Sequence, residues 1–245
     1  VRAGYDFIGW GYSPTAGSPD FADKDEVLNL SDTHNATVTL YALWTPAEFS
    51  IFFDANGGLG TMNSQKVKYL SSINLRKNTF ALYGHNFAGW AKSKAEADNG
   101  LVSYTDEDLF EMNTPGNKTL HAVWSAGEYA VNFIKNGQDV TGEMLPQMIV
   151  FGQSTNLRPN SYANPGYTFQ GWALSALGAK AYNDGAEITM TTQGIDLYAK
   201  WLPNDYTVVF RANGGTGAPA SMSATYGQDF TIPLTQPVRQ GFDFV

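Results

Sequence analysis

Three kinds of side chain in this sequence carry the potential for chemistry: a few histidines, two acidic runs, and a set of aromatics flanked by glycine. The histidines are His34, His85 and His121. They show no HExxH pattern and no i, i+4 pair, so the spacing of a helical zinc site is missing. His85 and His121 stand where the rest of the chain places aromatics, which predicts half-buried packing residues. The run DFADKDE (20–26) offers Asp20, Asp23 and Asp25. A calcium loop needs oxygens at positions 1, 3 and 5, a following glycine and a glutamate at 12, and that spacing is not met. A solvated turn is the expected reading. TDEDLFE (105–111) reads as an acidic helix start, with carboxylates at the N-terminal dipole. No GxSxG elbow supports a serine nucleophile. Asn35-Ala-Thr37 and Asn117-Lys-Thr119 fit the N-glycosylation pattern but read better as polar turns. No recurrent lysine suggests a buried crosslink. The expected site inventory is therefore no catalytic residue, no metal and no cofactor.

The aromatics are the serious candidates. Rings flanked by glycine can line a sugar-binding groove. GYDFIGW (4–10), GHNFAGW (84–90) and GYTFQGW (166–172) each end in tryptophan, and GFDFV (241–245) begins a fourth copy. Trp10, Trp90 and Trp172 are the candidate ligand-facing residues. Strict alternation along a strand would put each on the solvent face. A bulge at the preceding glycine would instead turn each inward.

These motifs belong to a repeat that must position them. The three tryptophans are 80 and 82 residues apart. A second landmark reads LYALW (40–44), LHAVW (120–124) and LYAKW (197–201). A third reads FFDANGG (52–58), FIKNG (133–137) and FRANGG (210–215). A fourth, VKY (67–69), IVFGQ (149–153) and ATYGQ (224–228), keeps the same order, and VRAGYDF at Val1 returns as VRQGFDF at Val238. One unit of about 79 residues accounts for the whole chain.

Within the unit at 127–201, Tyr129, Val131 and Phe133 alternate as in a half-buried strand, and Asn136-Gly137 suits a turn with positive φ. MIVFG (148–152) reads as a second strand. Pro159 and Pro165 rule out a central strand over the crossing segment. GYTFQGW is the third strand, ALSALGAKAYNDGAEITM holds a short helix or turn, and IDLYAKW closes the unit.

The order of these landmarks resembles the Listeria–Bacteroides repeat of internalin-like surface proteins. The resemblance rests on Tyr206, Val208, Phe210, Asn213, Gly214 and Gly215, on Pro165, Gly166, Tyr167, Phe169, Gly171 and Trp172, and on Leu197, Tyr198, Ala199 and Trp201. It implies an α+β, β-rich, β-grasp-like module strung in tandem on bacterial cell-surface proteins and adhesins, with no catalytic residues. In that frame, residues 1–45 are the C-terminal half of a repeat, 46–125 and 126–202 are complete repeats, and 203–245 is an N-terminal half. A permuted frame starting near Val1 is the alternative. Proteolytic cuts within 40–50 and 200–206 would support the first frame, and cuts near 80 and 163 the second. The partners expected are neighbouring repeats, and a second chain completing the terminal half-repeats.

The composition narrows the function further. The net charge is −8 and no run of Lys or Arg exceeds two residues, as at Arg76-Lys77. Nucleic acid phosphates and anionic lipid are therefore repelled. The absence of cysteine removes disulfides, thiolate metal sites and a cysteine nucleophile. No apolar run is long enough to span a bilayer, so direct membrane insertion is not expected. Val1 is not a natural start, which suggests a fragment of something longer. The expected function is a non-catalytic spacer or stalk, secreted and held at a bacterial cell surface or cell wall. The alternative is weak, multivalent binding of host glycan or protein through the repeats.

Overall fold

The computed structural model describes residues 1–245. The chain divides into two compact units, Val1–Ala126 and Gly127–Val245. In the first, β1 (Tyr5–Gly11) and β2 (Tyr41–Pro46) form an antiparallel pair. There follow β3 (Glu48–Asp54), β4 (Gln65–Lys68), β5 (Ser72–Asn74), β6 (His85–Ala91), the short helix α1 (Lys94–Asp98), β7 (Leu109–Glu111) and β8 (Lys118–Ala126). The second unit holds β9 (Glu128–Ile134), β10 (Gln147–Val150), β11 (Ser154–Asn156), β12 (Tyr167–Ala173), β13 (Lys180–Tyr182), β14 (Glu187–Thr189) and β15 (Ile195–Pro203). It ends with β16 (Asp205–Val208) and β17 (Met222–Thr225).

The two complete repeats share one architecture. The main sheet runs β4-β3-β8-β6 in the first and β10-β9-β15-β12-β13 in the second, and each carries a small side sheet, β5-β7 or β11-β14. The first and last strands of a repeat lie side by side and parallel, with Ile51 opposite Lys118 and Val131 opposite Ile195. All other pairings are antiparallel. Residue alternation builds these strands: in β9 the inward Val131 and Phe133 are buried while Asn132 between them is exposed. Each sheet closes over its own core. Ile51, Leu75, Phe80, Trp90, Met112 and Leu120 fill the first, and Val131, Leu157, Tyr162, Trp172, Met190 and Leu197 the second.

The protein is nearly all-β, with 41 % strand against 2 % helix, so the α component of the expected α+β class is almost absent. The short helix after the opening motif forms in the first complete repeat only. There Ser93 caps α1 by accepting from the Glu96 backbone N–H. In the second, the aligned stretch turns through Gly178 and continues as β13.

The helix expected at 105–111 does not exist. Glu107 adopts φ +59, which no helix tolerates. Asp108 accepts from the Thr105 backbone N–H to close a turn, and Leu109–Glu111 is a strand. The carboxylates favour a cap here, and in this segment the cap closes a turn.

Candidate functional site

The opening motif is placed by its glycine. In β12 the burial alternates from Tyr167 to Gln170, and Gly171, Trp172 and Ala173 are then all buried. The ladder to β15 slips between Phe169 and Gly171, where φ reaches +128. The same slip occurs at Gly9 (φ +141) and Gly89 (φ +145). At Gly89 a Cβ would lie 2.5 Å from the Tyr104 carbonyl oxygen. Glycine is thus required both by the backbone angle and by the neighbouring backbone. Trp90 and Trp172 are turned inward and are 0 % exposed, so they present no ring face to a ligand. Trp90 packs against Phe53 and Phe87, each with its ring centroid 4.9 Å away. Trp172 packs the same way against Phe133 at 4.9 Å and Phe169 at 5.0 Å. Strict alternation failed at these positions because the bulge inserts one residue.

Trp10 differs. It keeps 37 % of its surface, since the segment 1–45 supplies no counterpart of Phe53 or Phe80 to cover it.

The second tryptophan of each complete repeat is half-buried and tethered. Trp124 Nε1–H donates to the Ala55 carbonyl at 2.9 Å, and Trp201 Nε1–H to that of Lys135 at 3.0 Å. The indole N–H groups of Trp90 and Trp172 find no acceptor. That omission costs about 1–3 kcal/mol each, and burying the large ring offsets it.

Recurring polar side chains are committed to the backbone of their own repeat. Asn56 (φ +45) and Asn136 (φ +49) hold left-handed turns, and their amides donate to Ala122 and Ala199 carbonyls on the last strand. Gln65 donates to the Asn74 carbonyl and accepts from the Arg76 N–H; Gln147 does the same with Asn156 and Arg158. Asn78 and Asn160 close tight turns by accepting from Phe80 and Tyr162 N–H, while Asp106 and Asp184 accept from the Asn78 and Asn160 N–H groups. Sequence reasoning missed this network. The signal was present, because Gln65 and Gln147 lie 82 residues apart, as do Asn78 and Asn160.

The other candidates are dispersed. His85 and His121 are half-buried and His34 is exposed. His121 Nδ1 stands 3.6 Å from Asp54, too far for a hydrogen bond. No three His, Asp or Glu side chains converge. In the acidic run, Asp20 accepts from the Tyr12 N–H and Asp25 from the Ala22 N–H, as in turns. Asn117 accepts from the Ser50 N–H.

Two of the surface clefts can be compared from repeat to repeat. One, about 490 Å³, lies beside Lys92, Tyr104, Glu111 and Lys118. Lys92 is not a property of the repeat, since Leu174 occupies the position after Trp172-Ala173 that Lys92 occupies after Trp90-Ala91. The other, about 360 Å³, is lined by Phe210, Ile232, Leu234 and Phe244. It is an uncovered core face: the residues aligned with Ile232 are Leu75 and Leu157, which are buried in complete repeats.

A family model described as the Listeria-Bacteroides repeat domain matches residues 49–123, 129–200 and 206–245. A "Putative Gly-rich membrane protein" of Evansella cellulosilytica is 29 % identical over 99 % of this chain and 27 % of its own length. A "Putative membrane protein" of the same organism is 31 % identical over 85 % of this chain and 29 % of its own length. The chain thus spans under a third of these relatives. No solved structure matches it.

Proposed function

Because the chain belongs to the Listeria-Bacteroides repeat family, we propose that its repeats are non-catalytic spacers of a bacterial cell-surface protein or adhesin, held outside the cell at the surface or wall. One observation carries this reading. The polar side chains that recur from repeat to repeat bond to their own backbone, and the recurring tryptophans of the complete repeats lie in the core. A repeat that keeps its recurring groups for itself adds reach without adding chemistry. The same observation supports a non-catalytic role. The parallel pair of first and last strands at the centre of each sheet supports a β-grasp-like module, with the side sheet and coil where a helix would be clasped.

The names of the Evansella proteins support a membrane-linked parent. No helix of this chain is long and apolar enough to cross a bilayer. Labelling intact cells with antibody raised against residues 46–202 tests the location: surface staining supports it, and staining only after permeabilisation contradicts it.

The second reading, weak multivalent binding of glycan or protein, is favoured by the exposed ring of Trp10, one of the three recurrent motif tryptophans. A glycan array probed with the whole chain separates the two. The spacer reading predicts no saturable binding. Saturable binding that is lost in Trp10→Ala establishes the second reading.

A further inference from the structure

Gly4 precedes the first opening motif and Gly166 the third, and both adopt φ +80. Neither faces its own core. The ring of Tyr69, from the following repeat, rests on Gly4 so closely that a Cβ there would lie 2.5 Å from the Tyr69 Cδ1. The ring of Tyr226 rests in the same way on Gly166, where a Cβ would lie 2.5 Å from its Cγ. Each ring also meets the aromatic after the glycine edge-on. Tyr5 and Tyr69 are 5.5 Å apart at 87°, and Tyr167 and Tyr226 are 5.4 Å apart at 76°.

The backbone repeats this arrangement. Ala47, the single residue between β2 and β3, donates to the Gly4 carbonyl and accepts from the Tyr69 N–H, both at 2.9 Å. Asn204, the single residue between β15 and β16, donates to the Gly166 carbonyl and accepts from the Tyr226 N–H, again both at 2.9 Å. A one-residue join is thus clamped between a glycine of the preceding repeat and a tyrosine of the following one.

We propose that this glycine and tyrosine form an inter-repeat socket that fixes the orientation of consecutive repeats. The surface is the bare Cα of Gly4 or Gly166, and its partner is the aromatic closing the second strand of the next repeat. Any side chain on the glycine displaces the ring. A leucine or alanine in place of the tyrosine leaves the one-residue join free to swivel. The socket sets one joint within each compact unit, where a half-repeat meets its complete neighbour. It goes beyond the spacer role and does not depend on it, because it concerns how one repeat meets the next.

The cysteine-free chain suits spin labelling. Labels at Thr191→Cys and Asp229→Cys, both exposed, lie on either side of the second joint. Pulsed dipolar spectroscopy on the whole chain is expected to give one narrow distance distribution. Tyr226→Ala is expected to broaden it at least twofold, and Tyr226→Phe, which keeps the ring, to leave it narrow. Gly166→Ala is expected to broaden it in the parent but to add little in the Tyr226→Ala background, since the ring it displaces is gone. Amide exchange across the β16–β17 ladder, where Tyr206 faces Ala224, separates a loosened joint from an unfolded half-repeat. Retained protection with a broadened distribution supports the socket. A distribution that stays narrow in Tyr226→Ala overturns it. So does broadening by Tyr226→Phe equal to that by Ala, or loss of the ladder's protection, which would make the ring a folding contact instead of an orienting one.

Discussion

Replacing Gly171 by alanine tests how the opening motif is built. The residue sits at φ +128, and a Cβ would run into the Tyr182 carbonyl oxygen and come within 2.9 Å of Lys180 Cδ. A non-glycine residue held in such a backbone region costs about 1–3 kcal/mol. Relieving the collision moves β13 away from Trp172, its partner in the ladder, at a further cost of about 1 kcal/mol for a weakened backbone hydrogen bond. The sum is about 2–4 kcal/mol. Gly185 is the control. It has φ +63, and a methyl group on its Cα would meet nothing within 4 Å, so Gly185→Ala carries only the left-handed penalty, about 1–2 kcal/mol. Native-state hydrogen exchange at the Leu197 and Ala199 amides, both fully buried on β15, reads the opening free energy of this repeat directly. Gly171→Ala is expected to speed their exchange by roughly 30- to 1000-fold, at about 1.4 kcal/mol per decade. Gly185→Ala is expected to speed it roughly 5- to 30-fold on the same scale. Equal acceleration by the two variants would refute the bulge argument, because then only the local backbone angle would matter.

Three further outcomes are expected. Asn136→Ala removes an amide that donates to both Ala199 and Ala176 carbonyls, and chemical denaturation should show a loss of about 1–3 kcal/mol; a change of a few tenths would show that the turn holds without its tether. Burial raises the Tyr162 phenol above its ordinary value, with a smaller push from Glu143, and its hydroxyl donates to the Phe133 carbonyl. A raised folded value means that the contribution is complete below pH about 10 and is lost as the pH climbs through the folded value. Thermal melts above that pH should therefore fall less in Tyr162→Phe than in the parent. Finally, β2 and β16 leave free the edges that correspond to the parallel pair of a complete repeat. We propose that residues 1–45 of one copy cover residues 203–245 of another. Sedimentation should then show concentration-dependent, head-to-tail association that weakens in Trp10→Ala, and a monomer at every concentration would contradict it.

The strands and the repeat were legible because they depend on short patterns. Alternation at Tyr129, Val131 and Phe133 is visible in one line, and recurrence marks the same strand in each copy. The bulge was legible because Gly171 breaks an otherwise regular alternation just before a residue too large to leave outside. The polar scaffold was not. Gln147 reaches Asn156 and Arg158 across a turn, and Asn136 reaches a strand more than 60 residues later. Such bonds depend on tertiary placement, which no local pattern encodes. The helix expected at 105–111 failed for a related reason: Asp and Glu favour caps of turns and helices alike, and only the strand pairing of Phe110 with Ile73 decides between them. The exposure of Trp10 was equally hidden, because it depends on what covers the ring and not on the strand that carries it.

The central claim is that the recurrent aromatic motif is core and not a binding face. Acrylamide quenching of two single-tryptophan variants, one keeping Trp172 and one keeping Trp10, tests it most directly. At concentrations where the chain is monomeric, Trp172 is predicted to resist quenching until the repeat unfolds, while Trp10 is quenched readily. Trp172 quenched as easily as Trp10 in the folded chain would contradict the account.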